Sequence, residues 1–139
     1  MSEFETATYF FHACESLQGW EGCKGYVSDG AKFSAQSEPL VDVKTIEEYC
    51  EWMAAVGNGP LKGCSYKLHS SSYDEQGQTA LFFATFTAIH VGDGGPVEPT
   101  QKQTNSDYVY ALTMNEEGKV EKMCKIWNAP WALKELGWG

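Results

Sequence analysis

The hydrophobic pattern of this chain changes period near residue 65, and this change constrains the fold more than any other feature. Before that point, apolar side chains recur every three or four residues, which is the spacing of helices buried on one face. After it, stretches rich in Val, Thr, Ile, Phe and Tyr are separated by turn residues, as strands are. Helices followed by a run of strands are typical of an α+β protein, with the helices packed on one face of a sheet.

The first half contains two clear helical patterns. Apolar residues at helical spacing predict one helix over residues 4–17 and another that begins at Thr45. Thr45 and Glu48 have the spacing of a capping box, and Gly57 and Gly59 end the second pattern. A short helix is expected around residues 20–26, a short extended piece over 32–36, and a last helix over 130–136.

The second half predicts four strands, over residues 65–73, 78–91, 105–114 and 119–127. The turn sequence from Asn115 to Gly118 joins the last two, so we expect antiparallel pairing. The chain has 139 residues and no low-complexity linker, which indicates a single domain over residues 1–139.

The charge composition excludes several classes of partner. The net charge is −9, and none of the ten basic residues is an arginine. Binding to phosphates or to an anionic lipid surface requires clustered basic side chains, so we expect neither nucleic acid nor membrane as a partner. No apolar stretch is long enough to span a bilayer.

Five cysteines are spread along the chain without a metal-binding or redox spacing, so we expect no metal site. Cys14 and Cys50 fall on helix faces that look buried, which favours a role as small hydrophobic residues. The acidic N-terminal segment does not resemble a signal peptide. We therefore expect a cytoplasmic protein with reduced thiols.

Three segments in the second half resemble SnoaL-like polyketide cyclases of the nuclear transport factor 2-like superfamily. They are T-A-I-H-V-G (87–92) with P-T-Q-K (99–102), Y-V-Y-A-L-T-M-N-E-E-G-K-V (108–120), and W-N-A-P-W-A-L-K-E-L-G-W (127–138). The resemblance implies a cone-shaped, curved, mixed or antiparallel sheet, with N-terminal helices that enclose a pocket. It also implies a homodimer and chemistry without a cofactor.

The resemblance implies acid–base chemistry at a carbon next to a carbonyl group. His90 and Asp107 match the positions that move the proton in these cyclases. At its distance from Gly118 in the sequence, Tyr110 matches the position of the oxyanion-hole acid in ketosteroid isomerases. The chain departs from the family pattern at Gln101, where a glycine is usual, and at Asn128, where an acid is common.

Asp107 and Tyr110 are three residues apart, so in an unbulged strand they face opposite sides of the sheet. Either a bulge intervenes or only one of them faces the pocket. If Tyr110 faces the pocket, then Ser106, Tyr108 and Leu112 face the pocket too. The expected ligand-binding residues are aromatic or lie on the paired strand: Tyr9, Trp20, Tyr49, Trp52, Tyr108, Met123, Lys125 and Trp127.

These observations favour a pocket protein for an apolar small molecule that carries a carbonyl group, acting as a cyclase, isomerase or dehydratase. The alternative is a non-catalytic ligand-binding or dimerisation module of the same fold, which the incomplete catalytic set favours. A homodimer would use the outer face of the sheet, through alternate-face apolar residues such as Phe82, Phe86 and Val109.

Overall fold

Five strands form one mixed sheet in the computed structural model, which describes residues 1–139. The order across the sheet is β1-β5-β4-β3-β2. All neighbours are antiparallel except β1 and β5, which are parallel. The strands are β1 (Val27–Ala35), β2 (Ser65–Asp74), β3 (Thr79–Ile89), β4 (Gln103–Met114) and β5 (Val120–Trp127).

Four α-helices accompany the sheet: α1 (Glu3–Glu15), α2 (Gly19–Cys23), α3 (Ile46–Asn58) and α4 (Ala129–Leu136). Short 3₁₀ turns occupy Lys24–Tyr26 and Glu38–Leu40. The capping box of Thr45 and Glu48 is formed at the start of α3, and a second box of Ser2 and Glu5 begins α1. The predicted α+β class is therefore confirmed. All of these helices are too short or too polar to span a lipid bilayer.

Strand β1 begins five residues earlier than the extended piece that the sequence predicts. Gly30 adopts a positive φ of 68°, and the pairing register with β5 shifts between Val27 and Lys32. This irregularity breaks the alternation that identifies a strand from sequence. The buried side chains of β1 are Val27, Ala31 and Phe33.

The register between β3 and β4 runs without a bulge from the Thr79–Thr113 pair to the Ile89–Gln103 pair. The side chains of β4 therefore alternate strictly between the two faces. Residues at even positions point inward and are buried, namely Thr104, Ser106, Tyr108, Tyr110, Leu112 and Met114. Tyr110 thus faces inward, and Asp107 lies on the outer face.

The core lies between α1, α3 and the inner face of the sheet. Phe11 of α1 stacks on Phe82 with ring centroids 4.9 Å apart and meets the Tyr110 ring edge-on at the same distance. Phe82 is fully buried, and Phe86 also faces inward, so neither belongs to the outer face where the sequence pattern placed them. The exposed apolar residues of that face include Leu81, Phe83, Ile89 and Ile126.

We expect Phe82→Ala to lower the free energy of unfolding by about 3–5 kcal/mol, because it leaves a cavity under α1. Tyr9→Ala removes an aromatic ring of α1 that is 52% exposed and should cost about 1 kcal/mol or less. Urea denaturation of both variants measures the difference. Equal losses would contradict the placement of Phe82 in the core.

Candidate functional site

A largely apolar cavity of about 380 Å³ lies between α3, α4 and the inner face of the sheet. Its apolar walls include Trp52, Val56, Phe86, Leu133, Leu136 and Trp138. Only a few polar side chains reach it: Glu15, Thr104, Ser106, Tyr108 and Lys125. A cavity of this kind, with few convergent polar groups, is typical of a small-molecule site.

Two of these polar residues, Glu15 and Lys125, are the ends of a buried chain of hydrogen bonds. Lys125 Nζ donates to the Tyr49 hydroxyl at 2.9 Å, and the Tyr49 and Tyr110 hydroxyls are 3.1 Å apart. The Tyr110 hydroxyl donates to Glu15 Oε2 at 2.8 Å. With Tyr49 donating to Tyr110, each of the two hydroxyls donates once and accepts once, so both hydroxyls are satisfied.

Four different elements hold the four members of this chain. Glu15 is the last residue of α1, Tyr49 lies in the first turn of α3, and Tyr110 and Lys125 are register partners on β4 and β5. Glu15 follows Phe11 by four residues and so shares its buried helix face. The chain therefore forms only when both helices are packed on the sheet.

Burial dominates the electrostatics of the two charged groups. Glu15 is 3% exposed, and burial raises the pKa of its carboxyl to about 7, although the positive charge of Lys125 opposes the rise. Burial likewise lowers the pKa of Lys125, against the opposing effect of Glu15. Aromatic rings surround the ammonium group at 4.7–5.6 Å, contributed by Trp127, Tyr49, Tyr108 and Trp52.

Tyr108 lines the cavity, and its buried hydroxyl has no hydrogen-bond partner. An unsatisfied buried hydroxyl costs about 1–3 kcal/mol, so it is a natural place for a ligand oxygen to bind. Burial and then the nearby Glu15 carboxylate raise the pKa of Tyr108 well above its ordinary value, which keeps the hydroxyl protonated as a donor.

His90 is fully buried at the end of β3, and its ring nitrogens are already engaged. Nδ1 accepts hydrogen bonds from Trp138 Nε1 at 2.9 Å and from the Thr100 backbone at 3.3 Å. Nε2 lies 3.1 Å from the Gly92 carbonyl, to which it donates in the tautomer that satisfies all three contacts. Through these hydrogen bonds, the His90 ring connects the loop of residues 92–100 to Trp138 in the C-terminal segment.

Asp107 lies on the outer face of β4, where it accepts a hydrogen bond from the Thr85 hydroxyl at 2.6 Å. Thr85 is its register partner and precedes His90 by five residues, a separation of about 16 Å along the strand. Asp107 and His90 are therefore not brought together, and neither lines the cavity. The structure does not form the proton-transfer pair that the resemblance implied.

The expected ligand-binding residues fall into three groups. Trp52, Tyr108, Lys125 and Trp127 line the cavity. Tyr49 belongs to the hydrogen-bonded chain, and Met123 is fully buried in the core. Tyr9 is exposed and stacks on Tyr26, while Trp20 packs at the edge of the core, so neither reaches the cavity.

Two residues have roles that the sequence reasoning did not assign. Glu15 was missed, although its spacing of four from Phe11 places an acid on the apolar face of α1, which is an unusual position. Asn128 caps α4 by accepting a hydrogen bond from the Trp131 backbone N–H.

The fold has many counterparts among solved structures. A candidate SnoaL-like polyketide cyclase from a Jannaschia species aligns with a TM-score of 0.78 at 16% identity, over 96% of this chain and 90% of that one. IdmH, a candidate polyketide cyclase from Streptomyces antibioticus, aligns with a TM-score of 0.77 at 12% identity, over 99% of both chains. A nuclear transport factor 2-like protein from Burkholderia thailandensis aligns with a TM-score of 0.74 at 10% identity, over 97% of both.

No protein family model and no curated protein sequence matches the chain. The structural similarities establish the fold: this is a cavity-bearing α+β protein with the nuclear transport factor 2-like architecture. SnoaL-like cyclases are among its structural neighbours, which confirms the resemblance drawn from the sequence at the level of the fold.

The raised pKa of Glu15 makes a specific prediction about stability. Between pH 4.5 and about 7 the folded protein keeps the Glu15 proton, while the unfolded chain releases it. Its contribution to stability is therefore fully present below pH 4.5 and is lost as the pH rises to about 7, by about 3 kcal/mol. Glu15→Gln should remove this pH dependence in urea denaturation. Glu117→Gln, at an exposed turn, should retain it, and an unchanged profile in Glu15→Gln would contradict the assignment.

Proposed function

We propose that the protein catalyses acid–base chemistry, without a cofactor, next to the carbonyl group of an apolar small molecule. One observation carries the proposal: the unpartnered hydroxyl of Tyr108 and the buried carboxyl of Glu15 open into the same apolar cavity. A hydrogen-bond donor for an oxygen and a base for a neighbouring carbon are the two groups that enolisation requires.

In this proposal Glu15 is the general base. Its carboxylate takes a proton from the carbon next to the carbonyl, and the electron pair of that C–H bond forms the enolate. A pKa of about 7 suits this role, because the carboxylate is available near neutral pH and still holds the proton well enough to return it. Return of the proton to a different carbon gives an isomerisation, and attack by the enolate on a second carbonyl gives a cyclisation.

The developing enolate oxygen would bind between the Tyr108 hydroxyl and the Lys125 ammonium group. Both line the cavity, and Lys125 Nζ lies 5.3 Å from the centroid of the Tyr108 ring. A protonated lysine in an apolar cavity stabilises an adjacent anion far more than it would in water. Trp52, Trp127 and Phe86 would enclose the apolar part of the substrate.

Tyr110 and Tyr49 would position the charged groups rather than contact the substrate. The hydroxyl hydrogen of Tyr110 is directed to Glu15, so we assign the oxyanion role to Tyr108 and not to Tyr110. We also assign the base to Glu15 and not to the pair of His90 and Asp107. This assignment is supported by the exposed position of Asp107 and the engaged ring nitrogens of His90.

Deuterium exchange at the carbon next to the carbonyl of 2-tetralone, an apolar bicyclic ketone, tests the proposal by NMR. We expect Glu15→Gln to slow catalysed exchange by about 10²–10⁴-fold, since it removes the base. Tyr108→Phe should slow it by about 10²-fold, since it removes an oxyanion donor. The wild-type rate should rise with pH through about 7 as Glu15 ionises.

Asp107→Asn separates the two candidate bases, and we expect it to exchange 2-tetralone at the wild-type rate. Loss of exchange in Asp107→Asn with full exchange in Glu15→Gln would overturn the assignment. A wild-type protein that binds 2-tetralone without catalysing exchange would instead support the non-catalytic ligand-binding alternative.

We also propose that the protein forms a homodimer in a reducing, cytoplasmic environment, where its five free thiols persist. The outer face of the sheet supports the dimer, because Leu81 and Phe83 of β3 lie beside Val109 of β4, which is itself paired with Ile126 of β5. Such a contiguous exposed apolar patch is typical of an interaction surface.

Ile126 contributes the β5 side of this patch and is 60% exposed, so Ile126→Asp should convert the dimer to a monomer in sedimentation equilibrium. A buried carboxylate at an apolar interface costs several kcal/mol. Val97→Asp, at an exposed apolar position in a loop, should leave the dimer intact. A monomeric wild-type protein, or a dimer that tolerates Ile126→Asp, would contradict this interface.

A further inference from the structure

Three cysteine thiols meet where the N-terminal helices pack together. Cys14 belongs to α1, Cys23 to α2 and Cys50 to α3. Their sulfur atoms all lie within 4.8 Å of one another, and Cys14 Sγ is 3.9 Å from Cys50 Sγ. All three side chains are buried, and none lines the cavity of the proposed active site. Their wide sequence spacing did not indicate a site, because only the packing of three helices brings them together.

We propose that this cysteine cluster is a binding site for a thiophilic, three-coordinate centre, specifically trivalent arsenic. Trivalent arsenic is pyramidal, because a lone pair occupies its fourth position. With bonds of about 2.3 Å, the length of a zinc–thiolate bond, three sulfurs around such a centre lie roughly 3.5 Å apart. Cys14 and Cys50 Sγ are 3.9 Å apart and Cys23 Sγ is within 4.8 Å of both, so binding requires the three sulfurs to move closer together by side-chain adjustment.

The surroundings of the cluster disfavour a tetrahedral ion such as zinc, which takes a fourth ligand from histidine, cysteine or a carboxylate. The three histidines are elsewhere: His12 contacts Tyr66, His69 contacts Thr85, and His90 contacts Trp138. The Tyr110 hydroxyl reaches Cys14 Sγ at 3.7 Å, but it donates its hydrogen to Glu15 at a shorter distance. No carboxylate oxygen lies within 4.8 Å of all three sulfurs, so the donor set is three thiols.

Charge then selects trivalent arsenic over a monovalent metal ion. Three thiolates around Cu(I) carry a net charge of minus two, which is costly to bury without a cationic partner. Arsenous acid reacts with three thiols to give a neutral tristhiolate and three molecules of water. Three As–O bonds and three S–H bonds break, three As–S and three O–H bonds form, and no atom is oxidised or reduced.

The first bond would form at Cys23, because it lies on the shortest of the three helices that supply the thiols. That helix, α2, has five residues. Because the sulfurs are buried, access of arsenite depends on local opening of α2, and binding should be slow.

Titration of the full-length protein with sodium arsenite, in a phosphine reductant that does not chelate arsenic, tests the site. Native mass spectrometry should show one arsenic atom per chain. Cys23→Ala should lower the association constant by roughly 10²-fold, the scale of one tethered ligand's contribution through effective concentration. Cys64→Ala and Cys124→Ala, at cysteines outside the cluster, are the matched controls and should bind as the wild type does.

X-ray absorption at the arsenic edge is a second test, and it uses the wild-type protein, so it does not depend on whether Cys23→Ala folds. In the wild-type complex we expect three sulfur neighbours and no oxygen neighbour around arsenic. An absence of binding, coordination by fewer than three sulfurs, or loss of binding in Cys64→Ala or Cys124→Ala would overturn the proposal. This inference does not rest on the proposed enzymatic function, because its readouts involve no turnover.

Discussion

The hydrogen-bonded chain from Glu15 to Lys125 is the interaction on which the rest of the molecule depends. It places a carboxyl and an amine inside the core, and the two tyrosine hydroxyls of Tyr49 and Tyr110 separate them. Buried charges are tolerated only when hydrogen bonds replace the lost hydration. Because the members come from α1, α3, β4 and β5, correct packing of all four elements is the condition for that replacement. Folding and the charge state of the cavity are thus coupled.

The register of β4 determines which side chains can act in the cavity. A shift by one residue would bring Asp107 inward and turn Tyr108 and Tyr110 to solvent. The strand instead pairs with β3 without a bulge, and Phe82 is directly opposite Tyr110, so both pack under α1. Burial of these large aromatic rings fixes the register, and the chemistry available at the cavity follows from that packing.

Much of the fold could be predicted from local patterns, because caps, periodicity and turns act within a few residues. The capping box of Thr45 and the hairpin turn after Met114 are examples. The site depends on contacts between distant segments, which local patterns do not specify. Glu15 can be recognised as a buried acid only once the face of α1 that carries Phe11 is known to pack on the sheet. Likewise, the spacing of Asp107 and Tyr110 left open which of them faces inward until the register of β3 and β4 was known.

The cysteine cluster lies next to the cavity through Glu15, which follows Cys14 in α1 and lines the cavity, and this proximity links their electrostatics. Tyr110 donates to Glu15 and also contacts Cys14 Sγ at 3.7 Å. Negative charge at Cys14 would raise the pKa of Glu15 and so oppose formation of the carboxylate that the proposed chemistry needs. Protonated thiols, or a neutral tristhiolate, avoid this repulsion. The low dielectric that raises the pKa of Glu15 therefore also favours an uncharged Cys14 beside it.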